Sequence, residues 1–265
     1  MQAPETGLSA IAHDLRATDV HPPLYFWTVS EWRRLVGASL FTARMASVLC
    51  SIATLCLVAG IARTTGIPPV PAVLLTVGCY GFAYTGTVAR GFALAQMLNV
   101  AGIALLIREK ERPSRALTAG ALLGAATFTN YLAAWVGCAA LLHAFLRRRP
   151  VIVAAACIGF IVWLPLDLWF FVAQRQSRSD QFPPFAMLPA MTRLARYSVA
   201  NVFGGLPLYA HGFVQAWIAV AVCMLFLGGI GAIVRHWRHI ATPEARSLLA
   251  MCAVASLLGP LHWSG

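Results

Sequence analysis

Charge is what this sequence has least of: Asp, Glu, Lys and Arg together make 11% of its 265 residues, against about 25% in a soluble domain. Acids are scarcest, nine against twenty Lys and Arg, and 59% of residues are hydrophobic. A soluble domain is excluded, and an integral membrane protein is predicted. The net charge of +11 does not indicate nucleic acid, because the basic residues flank apolar runs instead of covering one polar face. Glycine-rich phosphate loops are missing, which excludes an ATP-driven pump or a nicotinamide enzyme. No histidine has H-x-x-x-H or H-E-x-x-H spacing, so no dedicated zinc site is predicted. The seven cysteines (50, 56, 79, 138, 157, 223 and 252) lie in apolar runs without a C-x-x-C pair, as small buried hydrophobes do. Met1 to Leu15 lacks the apolar core of a signal peptide, so insertion is expected to begin at an internal helix.

What is present is a series of charge-free runs: 45–62, 64–89, 91–107, 116–146, 150–166, 197–234 and 247–265. About 20 apolar residues cross a bilayer. Short cytoplasmic loops collect Lys and Arg, which places Arg63 inside with Arg108, Lys110, Arg112 and Arg115, with Arg147, Arg148 and Arg149, and with Arg235, Arg238 and Arg246. Both ends of the 116–146 run are then cytoplasmic, so the run crosses twice and turns near residues 127–131. One tilted helix with a displaced Arg triplet is the alternative. Gly120 and Gly124 have the spacing that lets membrane helices approach closely.

The predicted fold is an all-α polytopic bundle of about eight transmembrane helices. Residues 1–36 form a first extracytoplasmic segment, 37–172 the first six helices, 173–211 a second extracytoplasmic loop, and 212–265 the last two helices. An outward first segment without a signal implies a further helix upstream of Met1.

The segment most suited to chemistry is DVHPPLYF, Asp19 to Phe26. Each proline fixes φ and restrains the residue before it, so His21 and Pro22 are held extended and their side chains are aimed. A plain proline break before the first span is the simpler account. Asp19 is placed to act as general base on an acceptor hydroxyl or to orient His21. Asp167, in LPLDLWFF, is the alternative acid, or a structural one. Arg44 and Arg90 sit at outer ends of spans, where a guanidinium either snorkels to headgroups or forks onto a phosphate. Arg33 and Arg34 are expected to snorkel.

DVHPPLYF, then ARMAS at Ala43 to Ser47, YTGTVARGFAL at Tyr84 to Leu94 and FTNYLA at Phe128 to Ala133 follow one another as landmarks of a known family. Through them most of the chain resembles the GT-C membrane glycosyltransferases that use polyprenyl-phosphate sugars, among them protein O-mannosyltransferases, aminoarabinose transferases and rhizobial lipopolysaccharide-core transferases. The resemblance implies sugar transfer, with inversion, from a polyprenyl-phosphate sugar to a hydroxyl of a lipid, glycan or protein. The active site would face the periplasm from a bacterial inner membrane. Asp19 and His21 are its catalytic candidates; Pro22, Pro23, Tyr25, Arg44 and Arg90 are its substrate-binding candidates. No cofactor is implied firmly; a divalent metal stays open.

The family's Asp-Glu pair after its first helix has no counterpart here, so the usual catalytic aspartate is expected upstream of Met1. The landmark at Asn130 often reads His-Tyr in relatives. Two other readings remain: a transporter or flippase of lipid-linked sugar, which lacks support from an internal repeat or a mid-span acid pair, and an inactive truncated homologue.

Overall fold

The computed structural model describes residues 10–13, 15, 21–107 and 112–177, with isolated positions between 187 and 254. All regular structure among the described residues is helical. Helix α1, Leu24–Val36, starts directly after Pro22 and Pro23 and stops at Gly37, whose φ of 110° suits a residue without a Cβ. Ser39 and Thr42 then build a reciprocal capping box that opens α2, Leu40–Thr64. Trp32 donates its indole N–H to the Thr42 carbonyl at 2.7 Å, fixing α1 against the start of α2.

Helix α3, Pro69–Gly78, carries proline in its first turn, where a missing N–H costs nothing. At Cys79 the backbone becomes extended and the chain bends by 70° into α4, Tyr80–Thr87. Helices α5, Phe92–Leu106, α6, Pro113–Thr127, and α7, Ala133–Arg147, each have 15 residues. Helices α8, Pro150–Ile161, and α9, Leu164–Ser177, are separated by a turn at Val162 and Trp163 and run on as one apolar rod, Pro150–Gln176.

Two helices, Leu40–Thr64 and Pro150–Gln176, are long and apolar enough to cross a membrane, and α3 with α4 makes a third if the bent pair is one span. The first six expected spans all fall on described helices, α5 to α7 being short for a crossing. The last two, expected within 212–265, lie largely outside the described residues. Within the 116–146 run, expected to turn near residues 127–131, the chain turns at residues 128–132.

Helix α6 is the centre, packed against α5, α7 and α8. Its buried face is almost all small, including Ala116, Ala119, Gly120, Gly124 and Ala126. A Cβ on Gly120 would run into the Ala156 carbonyl, and one on Gly159 into the Leu117 carbonyl, so α6 and α8 cross with their backbones in contact. Gly124 faces the Trp163 ring in the same crossing. Without a hydrophobic drive between helices in lipid, this closeness supplies the van der Waals packing that holds them together. Outward faces carry Leu49, Ile52, Leu74, Leu75, Ile158 and Ile161, all exposed, as suits helices solvated by hydrocarbon.

Candidate active site

Four segments far apart in sequence meet at one end of the bundle. The Leu24 N–H donates to the Phe128 carbonyl at 3.3 Å, joining the proline segment to the turn after α6. The His21 ring meets Phe92, the first residue of α5, edge-on at 5.5 Å. Gly91, just before it, is pressed between the Thr129 carbonyl and the Tyr25 side chain, 2.9 Å and 3.3 Å from where its Cβ would stand. Only glycine lets the Arg90–Gly91 turn come this close. Phe128 is fully buried among Trp27, Trp163 and Phe170, with Ile11 and Leu15 in the same cluster.

Helix α9 supplies the fourth segment through one stripe. Asp167, Phe170, Phe171 and Gln174 have the 3–4 spacing of a single helix face. Asp167 accepts a hydrogen bond from the Thr127 hydroxyl, while its other carboxylate oxygen is buried without a partner. Phe170 packs on Phe128, and Phe171 on Tyr131. Gln174 accepts from the Tyr131 hydroxyl at 2.8 Å and donates to the His21 carbonyl at 3.1 Å. Burial pushes the Tyr131 phenol well above its ordinary pKa, and the nearby Asp167 charge pushes the same way, so Tyr131 stays a donor.

The expected site residues are distributed as follows. Pro22 and Pro23 are fully buried and Tyr25 nearly so, its hydroxyl 3.4 Å from that of Ser47 in the ARMAS landmark. Burial raises the Tyr25 pKa, against the smaller lowering by Ser47, so this contact also stays neutral. His21 is half-buried at the rim, and Arg44 and Arg90 are exposed. Arg90 adjoins the His21–Phe92 contact through Gly91; Arg44 lies on α2 one turn before Ser47. Among the described residues no carboxylate pairs with either arginine. Asp19 lies outside the described residues. Arg34 pairs with Glu31 at 2.7 Å on the surface, and Arg33 donates to the Ala38 carbonyl, 3.1 Å away. Among the described residues no three His, Cys, Asp or Glu side chains group as metal ligands.

Gln174 and Tyr131 were not readable as site residues, since neither a glutamine in FVAQRQS nor a tyrosine in a landmark announces a partner 43 residues away. Asp167 was readable as an acid in an apolar run, but its pairing with Thr127 was not.

Fold and site together define an integral membrane protein, helical in its described residues, with a polar site gathered at one end of its bundle. The family model for dolichyl-phosphate-mannose-protein mannosyltransferase matches residues 20–169, which is more than half of the chain. The chain belongs to that family, and so to the membrane glycosyltransferases of the GT-C type. No curated protein and no solved structure matches it.

Proposed function

We propose that the chain transfers a sugar from a polyprenyl-phosphate donor to a hydroxyl of a lipid, glycan or protein at the extracytoplasmic face of a bacterial cytoplasmic membrane. The observation that carries this reading is the meeting of His21, the Arg90–Gly91 turn and the Phe128–Thr129 turn at one end of the bundle. The opposite end bears Arg112, Arg115 and the Arg147–Arg149 triplet around the Ala116–Ile152 contact. By the positive-inside rule that opposite end is cytoplasmic, which supports an outward-facing site.

In the proposed reaction the acceptor oxygen attacks the anomeric carbon as the bond from that carbon to the phosphate oxygen breaks. The hydroxyl proton passes to the Asp19 carboxylate, directly or with His21 held in place by it, and the lipid phosphate leaves as the anion. Arg90, and Arg44 from α2, stabilise that anion with forked hydrogen bonds. Pro22, Pro23 and Tyr25 form the rigid wall behind it.

The test is transfer of labelled sugar from a panel of polyprenyl-phosphate donors in proteoliposomes. Arg90→Ala should raise the apparent donor KM about tenfold, the worth of one charge-assisted hydrogen bond. An unaltered KM would leave Arg90 as a snorkelling residue. The broken α3–α4 pair favours a second reading, because transporters build their sites on interrupted helices. Folded protein that transfers from no donor, yet exchanges lipid-linked sugar between leaflets, would establish that reading instead.

A further inference from the structure

Around the turn between α1 and α2 four large apolar side chains stand exposed: Leu35 at 84%, Phe41 at 72%, Leu40 at 50% and Val36 at 45%. Apolar side chains scattered singly over a surface need no explanation, but these form two pairs flanking residues 37–39. The turn between them is tied in three places. The Thr42 hydroxyl bonds the Gly37 carbonyl at 2.6 Å, Arg33 donates to the Ala38 carbonyl at 3.1 Å, and the Trp32 indole donates to the Thr42 carbonyl at 2.7 Å. The corner therefore holds its apolar side chains outward at a fixed place.

Their depth follows from the charges on α2, which are Arg44 and Arg63. The rise from one to the other is about 28 Å, close to the hydrocarbon thickness of about 30 Å, so a guanidinium marks each edge of the apolar layer. Leu40 and Phe41 stand roughly 5 Å beyond Arg44, in the headgroup layer and outside the hydrocarbon that covers Leu49 and Ile52. The Trp32 bond sets the end of α1, with Leu35 and Val36, beside the same turn of α2.

We propose that this corner is a membrane-docking surface seated in the headgroup layer, and that its occupant is the phospholipid of the outer leaflet. Charge complements that occupant, since Arg33, Arg34 and Arg44 lie around the patch and Glu31 is the one acid between residues 21 and 64. Arg34 and Glu31 are 44% and 50% exposed in their ion pair, and so open a pair is readily exchanged for a lipid phosphate. Trp, Leu and Phe set beside arginines are the side chains of helices that lie in an interface. On the α1 face that bears Leu35, Thr28 and Glu31 are exposed and polar, so α1 leaves the membrane as it runs back towards Pro23. The proposal rests on the transferase reading for the name of the leaflet and for one consequence. Anchored here, Arg44 is kept at the depth of lipid phosphates, where the phosphate of a membrane-bound donor also lies.

The experiment uses the full chain in nanodiscs, with a fluorescent amino acid in place of Leu35 or Phe41, one at a time. Both side chains are largely exposed, so neither replacement removes packing. The quenchers are iodide in the buffer and lipids bearing a nitroxide either at the headgroup or deep in the acyl chain. Positions 35 and 41 should be quenched by the headgroup nitroxide, with iodide quenching severalfold weaker than for the dye in buffer. The same dye at Ile52, exposed on α2, should respond to the deep nitroxide instead.

Iodide quenching equal to that of the dye in buffer, with none from either lipid, overturns the proposal. A dye shielded from all three quenchers also overturns it, because a protein surface or a second copy of the chain then covers the corner. Leu35→Ser with Phe41→Ser, read by a dye at Val36, should shift that dye towards iodide and away from lipid while helix content stays that of the parent; no shift overturns the anchoring role. In proteoliposomes the same double variant should raise donor KM severalfold at unchanged kcat, and an unchanged KM removes the consequence for Arg44. Absence of transfer in the parent, with positions 35 and 41 still quenched from the headgroups, sinks the transferase reading and leaves the docking surface standing.

Discussion

Gly159→Val should cost about 3 kcal/mol of stability, the upper part of the usual range for overpacking, and lower Tm in detergent by roughly 6–12 °C. At Gly159 the new Cβ would meet the Leu117 carbonyl and, 2.7 Å away, the Ala121 backbone nitrogen. Both are main-chain atoms in the most buried helix of the bundle, so no side chain can swing aside. The alternative is to part α6 from α8, which loses the packing of Ala116 on Ile152 and Ala156. The reverse face of the crossing has the same logic, with Gly120 against the Ala156 carbonyl, and a double change should cost less than the sum because the first already opens the gap. Gly60→Val is the control: its Cβ would find nothing within 4 Å, and it should shift Tm little. Equal effects at positions 60 and 159 would mean that helix propensity, not the crossing, is being measured.

The crossing is one place where the sequence was informative. Small residues at 120 and 124, four apart, are a pattern set by helix geometry alone, and both meet α8 or the Trp163 turn as the spacing implies. Helix positions were legible for the same reason: a charge cannot be placed cheaply in lipid, so the charge-free runs mark α2 to α8 closely, and prolines at 69, 113 and 150 stand in the first turns where they belong.

The bend at Cys79 was hidden, since 64–89 reads as one charge-free run and composition carries no information on ψ at a single residue. Where a helix stops is hidden in a similar way: hydropathy adds up residues along a run, and among the described residues it did not show that α5 to α7 are 15 residues each. The proline segment showed that something was held rigid there. What holds it, Phe128 from one turn and Gln174 from another helix, depends on which ends meet in three dimensions, and that is not a property of any window of sequence.

Asp19→Asn should lower transfer about 10²- to 10⁴-fold, the usual contribution of a general base, while insertion, stability and donor KM stay near those of the parent. Asparagine keeps the shape and one accepting oxygen of the carboxylate but cannot take a proton at working pH, so only the proton-transfer part of the barrier is removed. The two roles open to Asp19 separate in a double-mutant cycle with His21→Ala. If Asp19 is the base and His21 merely lines the rim against Phe92, the two losses should add. If Asp19 orients His21, which then moves the proton, either change alone disables the pair and the double variant should be hardly worse than the weaker single one. Turnover unchanged by Asp19→Asn would remove Asp19 from the mechanism. The next acid to test would then be Asp167: it alone among the described acids pairs a buried, unpartnered oxygen with a hydrogen bond into the same end of the bundle.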